Sequence, residues 1–204
     1  MVGKIAYDIF AVSFRTSNSF TTMIGKMESV KEGSQDPLAF FLDKDKNAIL
    51  AFSPDAQRLE LINKEYNGAE LMLTYVERLS TCQKGKSCIC LCSELSVGES
   101  IGSESRCTAA AECRALNTVA ITSYTLISER RSDQVGSSKN LMQSYFWKNG
   151  FAIVRSETLP AYFNNIPGIK INQNVKAVYV RKDLGKVGVC TTSNCEILPP
   201  GTYN

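Results

Sequence analysis

The segment CQKGKSCICLC, residues 82–92, places four cysteines within eleven positions. Its last three, Cys88, Cys90 and Cys92, occupy every second position. In an extended strand such residues share one face, with Cα atoms about 6.6 Å apart and nearly parallel side chains. A disulfide needs Cβ atoms about 3.8 Å apart. These three cysteines therefore cannot pair with one another, and each needs a partner elsewhere in the chain.

The remaining cysteines supply those partners: Cys82, Cys107, Cys113, Cys190 and Cys195. If all eight are oxidised, three of the five reach the strand and the other two pair together. Loop-closure entropy favours the nearest neighbours in sequence. We therefore expect Cys82, Cys107 and Cys113 to pair with the strand and Cys190–Cys195 to close a small loop. Four bridges at about 3 kcal/mol each contribute on the order of 10 kcal/mol, comparable to the stability of a whole domain.

The spacing of the cysteines argues against metal or redox chemistry. Four-cysteine zinc sites usually contain C-x2-C pairs, which a C-x-C-x-C segment lacks. The chain contains no C-x-x-C, the spacing typical of thioredoxin-like redox sites and many cluster sites. It also contains no histidine, the commonest metal ligand. The sequence therefore predicts no metal site, no cofactor and no catalytic residue. A cytosolic metal-binding protein is kept as an alternative hypothesis, the third after the two given below.

Cysteine usage also bears on the compartment. An even cysteine count is typical of bridges formed in an oxidising environment. The apolar stretch Ile5–Phe14 has ten residues and includes Asp8, whereas a spanning helix needs about 20 apolar residues. We expect a trimmed ectodomain of an exported protein, which would touch a membrane only through a segment absent here. Without histidine, serine–histidine and cysteine–histidine catalysis are excluded.

The charge balance excludes nucleic acid as a partner class. The formal net charge is +3, too near neutral for a nucleic-acid binder. Residues 137–204 carry 8 basic and 3 acidic side chains, against 15 and 17 in residues 1–136. This asymmetry indicates a basic face that contacts solvent. The alternative is that this face binds an anionic surface of a partner.

Hydrophobic periodicity predicts one helix followed by many strands. Phe20, Met23, Ile24, Met27 and Val30 follow helical spacing, and Gly33 ends the segment. We assign residues 1–34 to a juxtamembrane-like stretch with this helix and residues 35–204 to a single β-rich domain. Strands are expected at the following ranges: 38–42, 48–52, 58–62, 71–79, 87–95, 118–127, 145–154, 176–181 and 186–190. Their consecutive order predicts an antiparallel β-sandwich or open barrel.

Two turns and two long polar segments lie between the expected strands and predict how these strands are connected. Asn149–Gly150 and Asp183–Gly185 each lie between apolar runs and predict hairpins, and residues 43–47 (DKDKN) predict a plain hairpin turn instead of a calcium loop. The segments SVGESIGSESR (96–106) and SERRSDQVGSSKN (128–140) predict long loops. Residues 98–102 match the G-x-S-x-G nucleophile elbow, but no histidine exists to activate Ser100.

The second function hypothesis is an enzyme whose carboxylates or lysines lie in a cleft bordered by these two loops. It requires converging acids, such as Asp43, Asp45 or Glu99 with a neighbour. A different candidate surface surrounds the Asn-Gly turn, where Tyr145, Trp147 and Phe151 alternate along the chain. We expect most of these aromatic residues to pack in the core. The alternative is that they form a surface that contacts a partner.

Three stretches together carry a resemblance: FFLDKDKNAILAFSPD, CQKGKSCICLC and KAVYVRKDLGKVGVC. They resemble an uncharacterised group of exported proteins of small-genome archaea, in which a membrane segment precedes a cysteine-rich ectodomain. The resemblance implies a membrane-anchored, extracytoplasmic domain and transfers no catalytic residue. The leading hypothesis is thus a non-enzymatic surface domain that binds a protein or envelope component. Self-assembly into a filament is an alternative, with Ile5–Phe14 inserted as a strand into the next subunit.

Overall fold

The structure is a computed structural model of the chain. It describes residues 17–40, 48–64, 69–109, 111–117, 119–122, 125–127, 144–155, 170–171 and 176–190. The predicted turn at residues 43–47, the loop at 128–140 and the stretch Ile5–Phe14 lie outside these ranges.

The predicted helix is confirmed as α1, described over residues 17–29. Its face at Phe20, Met23 and Met27 is fully buried and belongs to the same hydrophobic cluster as the strands. Gly33 then takes a positive φ of 71° and donates a hydrogen bond to the Lys182 carbonyl at 2.8 Å. The helix therefore packs directly on the β-rich part of the chain.

The described residues form fifteen strands. In chain order they are β1 (Gln35–Phe40), β2 (Ala48–Phe52), β3 (Arg58–Lys64), β4 (Glu70–Glu77), β5 (Ser87–Cys92), β6 (Leu95–Ser96), β7 (Ser103–Cys107), β8 (Ala111–Leu116), β9 (Ala120–Ile121), β10 (Thr125–Ile127), β11 (Ser144–Lys148), β12 (Gly150–Arg155), β13 (Lys170–Ile171), β14 (Lys176–Asp183) and β15 (Lys186–Cys190).

These strands form three sheets. The four-stranded sheet has the order β1-β14-β15-β9, the six-stranded sheet β10-β11-β3-β4-β7-β6, and the five-stranded sheet β13-β12-β2-β5-β8. Most pairs are antiparallel, and β4/β7, β9/β15 and β12/β13 are parallel. No sheet closes into a barrel within the described ranges. The prediction of a mainly β fold with one N-terminal helix is confirmed.

Local turn chemistry predicted one hairpin correctly. Strands β14 and β15 pair antiparallel around Leu184 and Gly185, whose φ angles are 52° and 74°. Two consecutive positive φ angles are typical of the type I′ turn, whose twist matches that of the flanking strands.

The Asn149–Gly150 hairpin prediction is wrong. Strand β11 pairs with β3 in the six-stranded sheet, and β12 pairs with β2 in the five-stranded sheet. The two segments β2–β3 and β11–β12 therefore run side by side from one sheet into the other. Asn149 does have a positive φ of 70°, but the turn forms a corner between sheets. We call this place the sheet corner, made of residues 53–57 and 149–150.

Two other local predictions are corrected by the sheet pairing. Residues 96–106 are not a long loop, since β6 and β7 pair antiparallel across a turn. Strands β1 and β2 do not form a hairpin around residues 43–47, because β1 pairs with β14 and β2 with β5. The β6–β7 pair is local, whereas β1 and β2 each pair with a strand that is distant in sequence.

Candidate functional site

Strand β5, a buried strand of the five-stranded sheet, carries three of the cysteines. It lies between β2 and β8, and Cys88, Cys90 and Cys92 are each no more than 1% exposed. The neighbouring Ile89 is equally buried, so both faces of the strand are covered. The sulfurs are thus shielded from solvent by the sheets.

Each β5 cysteine pairs with one of the three expected partners. The S–S distances are 2.00 Å for Cys82–Cys88, 2.11 Å for Cys90–Cys113 and 2.09 Å for Cys92–Cys107. Within the described residues no cysteine is free. The fourth expected bridge, Cys190–Cys195, lies outside the part of the chain whose side chains are described.

The three bridges connect different parts of the fold. Cys90 and Cys113 are direct cross-strand partners on β5 and β8. Cys107 ends β7, so the Cys92–Cys107 bridge joins the five-stranded sheet to the six-stranded sheet. Cys82 lies in the turn region between β4 and β5, which its bridge to Cys88 fastens to the five-stranded sheet.

Two of the bridges lie against each other. The Sγ atom of Cys90 is 3.2 Å from that of Cys82 and 3.8 Å from that of Cys88. The Sγ atoms of Cys82, Cys88, Cys90 and Cys113 all lie within 4.8 Å of one another, and we call these four the sulfur cluster. Thr81 donates a hydrogen bond from its Oγ1 to the Cys113 Sγ at 3.0 Å.

The turn region that carries Cys82 is fixed by Arg78, which follows β4 directly. The guanidinium group donates five hydrogen bonds of 2.6–3.2 Å to main-chain carbonyls; the acceptors are Ser53, Ala56, Cys82, Gln83 and Lys86. All five of its N–H donors are thereby used. Burial lowers the pKa of Arg78, and the charge of Asp55 opposes that shift. Arg78 joins the sheet corner to the cysteine-bearing turn.

Sequence reasoning did not identify Arg78. Its place at the end of a strand, followed by a turn with one cysteine and one glycine, carried no local signal for a carbonyl-binding arginine. Gly85 donates to the Pro54 carbonyl at 3.1 Å, which adds a second contact between the same two segments.

A cleft of about 550 Å³ opens at the sheet corner. Its lining consists of Ser53, Pro54, Asp55, Ala56, Gln57, Arg58, Glu60, Glu77 and Asn149. Three carboxylates and one guanidinium group therefore face this space. Asn149 donates from Nδ2 to the Arg58 carbonyl at 3.2 Å, which holds the corner beside β3.

Arg58 occupies the cleft with partners of its own. Its Nε lies 2.6 Å from Glu60 Oε1, and its guanidinium carbon is 4.9 Å from the centre of the Tyr75 ring. The hydrogen bond and charge of Glu60 raise the pKa of Arg58 above its ordinary value. The cleft therefore contains a paired arginine and carboxylate, with Asp55 and Glu77 exposed beside them.

The cleft at the sheet corner does not include the acids predicted for a site between the two long segments, as far as those acids are described. Glu99 is exposed in the turn between β6 and β7 and does not line the cleft. Asp43 and Asp45 lie outside the described residues. Ser100 of the G-x-S-x-G match is followed by strand β7 instead of the helix that a nucleophile elbow requires.

The core packing expected for these aromatic residues is found for Trp147 and Phe151, and these two do not form the partner surface considered as the alternative. Trp147 is 4% exposed and Phe151 is 0% exposed, because both side chains pack in the common hydrophobic cluster. They therefore cannot contact a partner in this state. The Tyr145 side chain lies outside the described part of the structure. Among the residues that the structure describes, none provides a hydrogen-bond acceptor for the buried Trp147 Nε1.

The fold and its bridges define a disulfide-stabilised, mainly β protein. No family model, curated protein or solved structure matches the chain. Among the described residues, no helix has both the length and the hydropathy needed to cross a bilayer.

Proposed function

We propose that this chain is an extracytoplasmic, disulfide-stabilised β domain of a cell-envelope or surface protein, acting by binding or assembly. The observation that carries the proposal is the complete pairing of the six cysteines whose side chains are described. Thiols in a reducing cytosol stay unpaired, whereas oxidising compartments keep such bridges. A membrane anchor outside this chain, as in the exported archaeal group it resembles, belongs to the same proposal.

Binding is favoured over catalysis by the contents of the cleft. The sequence offers no histidine as a general base. Arg58 and Glu60 neutralise each other, and the remaining acids of the cleft, Asp55 and Glu77, are exposed. Exposed carboxylates of this kind suit electrostatic contact with a cationic or polar group of a partner. An enzyme with a carboxylate or lysine site remains the alternative hypothesis.

The compartment is tested by producing the full chain in an oxidising secretory compartment and in a reducing cytosol. We expect the secreted protein to be lighter than its reduced form by about 8 Da, for four bridges. We also expect a cooperative unfolding transition that reduction shifts strongly to lower temperature. Cytosolic protein with free thiols and the same unfolding midpoint as the secreted form would contradict the proposal.

Assembly is tested separately from the compartment. The filament alternative assigns strand exchange to Ile5–Phe14, so the full chain is compared with a chain lacking residues 1–16 by size-exclusion chromatography. Oligomers that disappear on truncation support assembly. A monomer in both cases removes the filament alternative and leaves binding as the proposed role.

A further inference from the structure

The sulfur cluster brings together four side chains from three elements of the fold. Cys88 and Cys90 come from strand β5, Cys113 from its neighbour β8, and Cys82 from the turn region that precedes β5. Cys82, Cys88 and Cys90 are no more than 4% exposed, and Cys113 is half-buried. Four cysteine sulfurs in one compact group are the ligand set of a structural zinc site.

The spacing between the two bridges is close to that of such a site, and the two bonded sulfur pairs separate when they are reduced. Tetrahedral zinc binds thiolates at about 2.3 Å, which places the sulfurs about 3.8 Å from one another. Across the two bridges, Cys90 Sγ lies 3.2 Å from Cys82 Sγ and 3.8 Å from Cys88 Sγ. No pair in the cluster exceeds 4.8 Å. We propose that, when both of its disulfides are reduced, the sulfur cluster binds one Zn²⁺ through four thiolates.

The surroundings of the cluster suit a site with negative charge. Zinc with four thiolates carries a net charge of −2. Thr81 already donates a hydrogen bond to the Cys113 sulfur, and donors of this kind orient and stabilise metal ligands. Arg78 holds the Cys82 carbonyl at 3.2 Å, so a guanidinium charge lies beside the turn that carries this ligand. Lys84 and Lys86 lie in the same turn region.

The redox step balances when a small dithiol is the reductant in one direction and a small disulfide is the oxidant in the other. Two molecules of a small dithiol reduce the two bridges, giving four cysteine thiols and two oxidised reductant molecules. Binding of one Zn²⁺ then releases four protons. In the opposite direction, two molecules of a small disulfide accept four electrons in total, re-form Cys82–Cys88 and Cys90–Cys113, and release the Zn²⁺.

This inference goes beyond the proposed surface function and does not depend on it. It concerns the reduced chain, in any compartment or at any stage before oxidation. The spacing of cysteines along the sequence argued against zinc, because that argument compares only cysteines that are close in sequence. The proposed ligand set includes Cys113, which lies 23 residues after Cys90.

The test uses the full chain, reduced with a phosphine and loaded with Zn²⁺ alone. After dialysis against a weak chelator, we expect one zinc per chain by elemental analysis. The variant carrying Cys82→Ser and Cys113→Ser removes one ligand from each bridge. It should bind zinc more than about 100-fold more weakly, since loss of an outer contact alone costs about 10–100-fold.

The matched control carries Cys92→Ser and Cys107→Ser, which removes two thiols outside the cluster. It should retain one zinc per chain. An unfolded reduced chain would bind zinc through any of its thiols, so equal losses in the two double variants would overturn the proposal. Failure of the reduced parent chain to retain zinc would overturn it as well.

A milder variant keeps every cysteine. Thr81→Val removes the hydrogen bond to the Cys113 sulfur and should weaken zinc binding about tenfold. Adding oxidised glutathione to the zinc-loaded parent chain should release one zinc per chain as Cys82–Cys88 and Cys90–Cys113 re-form, measured with a chromophoric chelator and by peptide mapping of the bridges. Release of zinc without formation of Cys82–Cys88 and Cys90–Cys113 would contradict the proposed exchange.

Discussion

Arg78 offers the sharpest test of how the sheet corner is held to the cysteine-bearing turn. Replacing it by methionine keeps much of its length and apolar volume but removes all five hydrogen-bond donors. The five carbonyls then lose their partner at once. The cation–π contact with Phe52, at 5.7 Å from the ring centre, is lost as well.

The expected fall in the free energy of unfolding depends on which of the five carbonyls can bind water once Arg78 is replaced. Gln83 and Lys86 are exposed, so their carbonyls regain hydrogen bonds from solvent. The bonds to Ser53, Ala56 and Cys82 are partly buried. An unsatisfied buried group costs about 1–3 kcal/mol, and partial burial favours the lower end. We expect the free energy of unfolding to fall by about 3–5 kcal/mol, a large part of a domain's total.

The assay is urea denaturation under non-reducing conditions, followed by linear extrapolation to water. Arg78→Lys should recover part of the loss, because an ammonium group donates three bonds but lacks the planar fork. The control is Arg114→Met, an exposed arginine with one ion pair to Glu112, expected within about 0.5 kcal/mol of the parent. An Arg78→Met variant as stable as this control would refute the reasoning.

Three further predictions address other features. Joint replacement of Cys92 and Cys107 by alanine opens a bridge with a sequence separation of 15 and should lower the free energy of unfolding by about 3 kcal/mol in the same assay; an unchanged midpoint would argue that the bridge does not form. Gly150→Ala puts a Cβ 1.9 Å from a carbonyl oxygen of β2 at a φ of 145°, and should cost more than about 3 kcal/mol or abolish folding. The hydrogen bond from Arg106 lowers the pKa of Glu104, so NMR titration should place that pKa below the ordinary value for a glutamate, and Arg106→Gln should raise it. Because the folded-state pKa is depressed, this contribution to stability is complete above the ordinary pKa and disappears as pH falls through the folded value.

The Gly150 prediction has a matched control in the helix. A Cβ at Gly25 meets no atom within 4 Å, and its φ is not positive. Gly25→Ala should therefore stabilise the chain by about 0.5–1 kcal/mol through helix propensity. Equal effects of the two substitutions would show that the close approach at the sheet corner is unimportant.

Sequence reasoning succeeded where the information is local. The helix follows from the spacing of Phe20, Met23 and Met27, and the β14–β15 hairpin follows from turn residues that accept positive φ angles. It failed at Asn149, where the backbone conformation is the one that Asn-Gly favours but the strands on either side join different sheets. Turn chemistry fixes the dihedral angles of two residues, whereas strand pairing depends on partners more than 80 positions away.

The candidate site was predictable in part for the same reason. Strand geometry excluded pairing among Cys88, Cys90 and Cys92 and so identified the set of partners. It could not show that two bridges lie 3.2 Å apart, because that distance depends on how the turn after β4 folds over β5. The roles of Arg78 and of the sheet corner likewise arise only from tertiary packing.

The three bridges also have an order along the chain. All of them close within residues 82–113, and Cys92–Cys107 is nested inside Cys90–Cys113, so no bridge crosses another. A chain that emerges from the ribosome or a translocation channel amino end first exposes all six thiols before β11 to β15 have emerged. Covalent closure can thus be finished during synthesis, and the later strands dock on a framework that has already been joined.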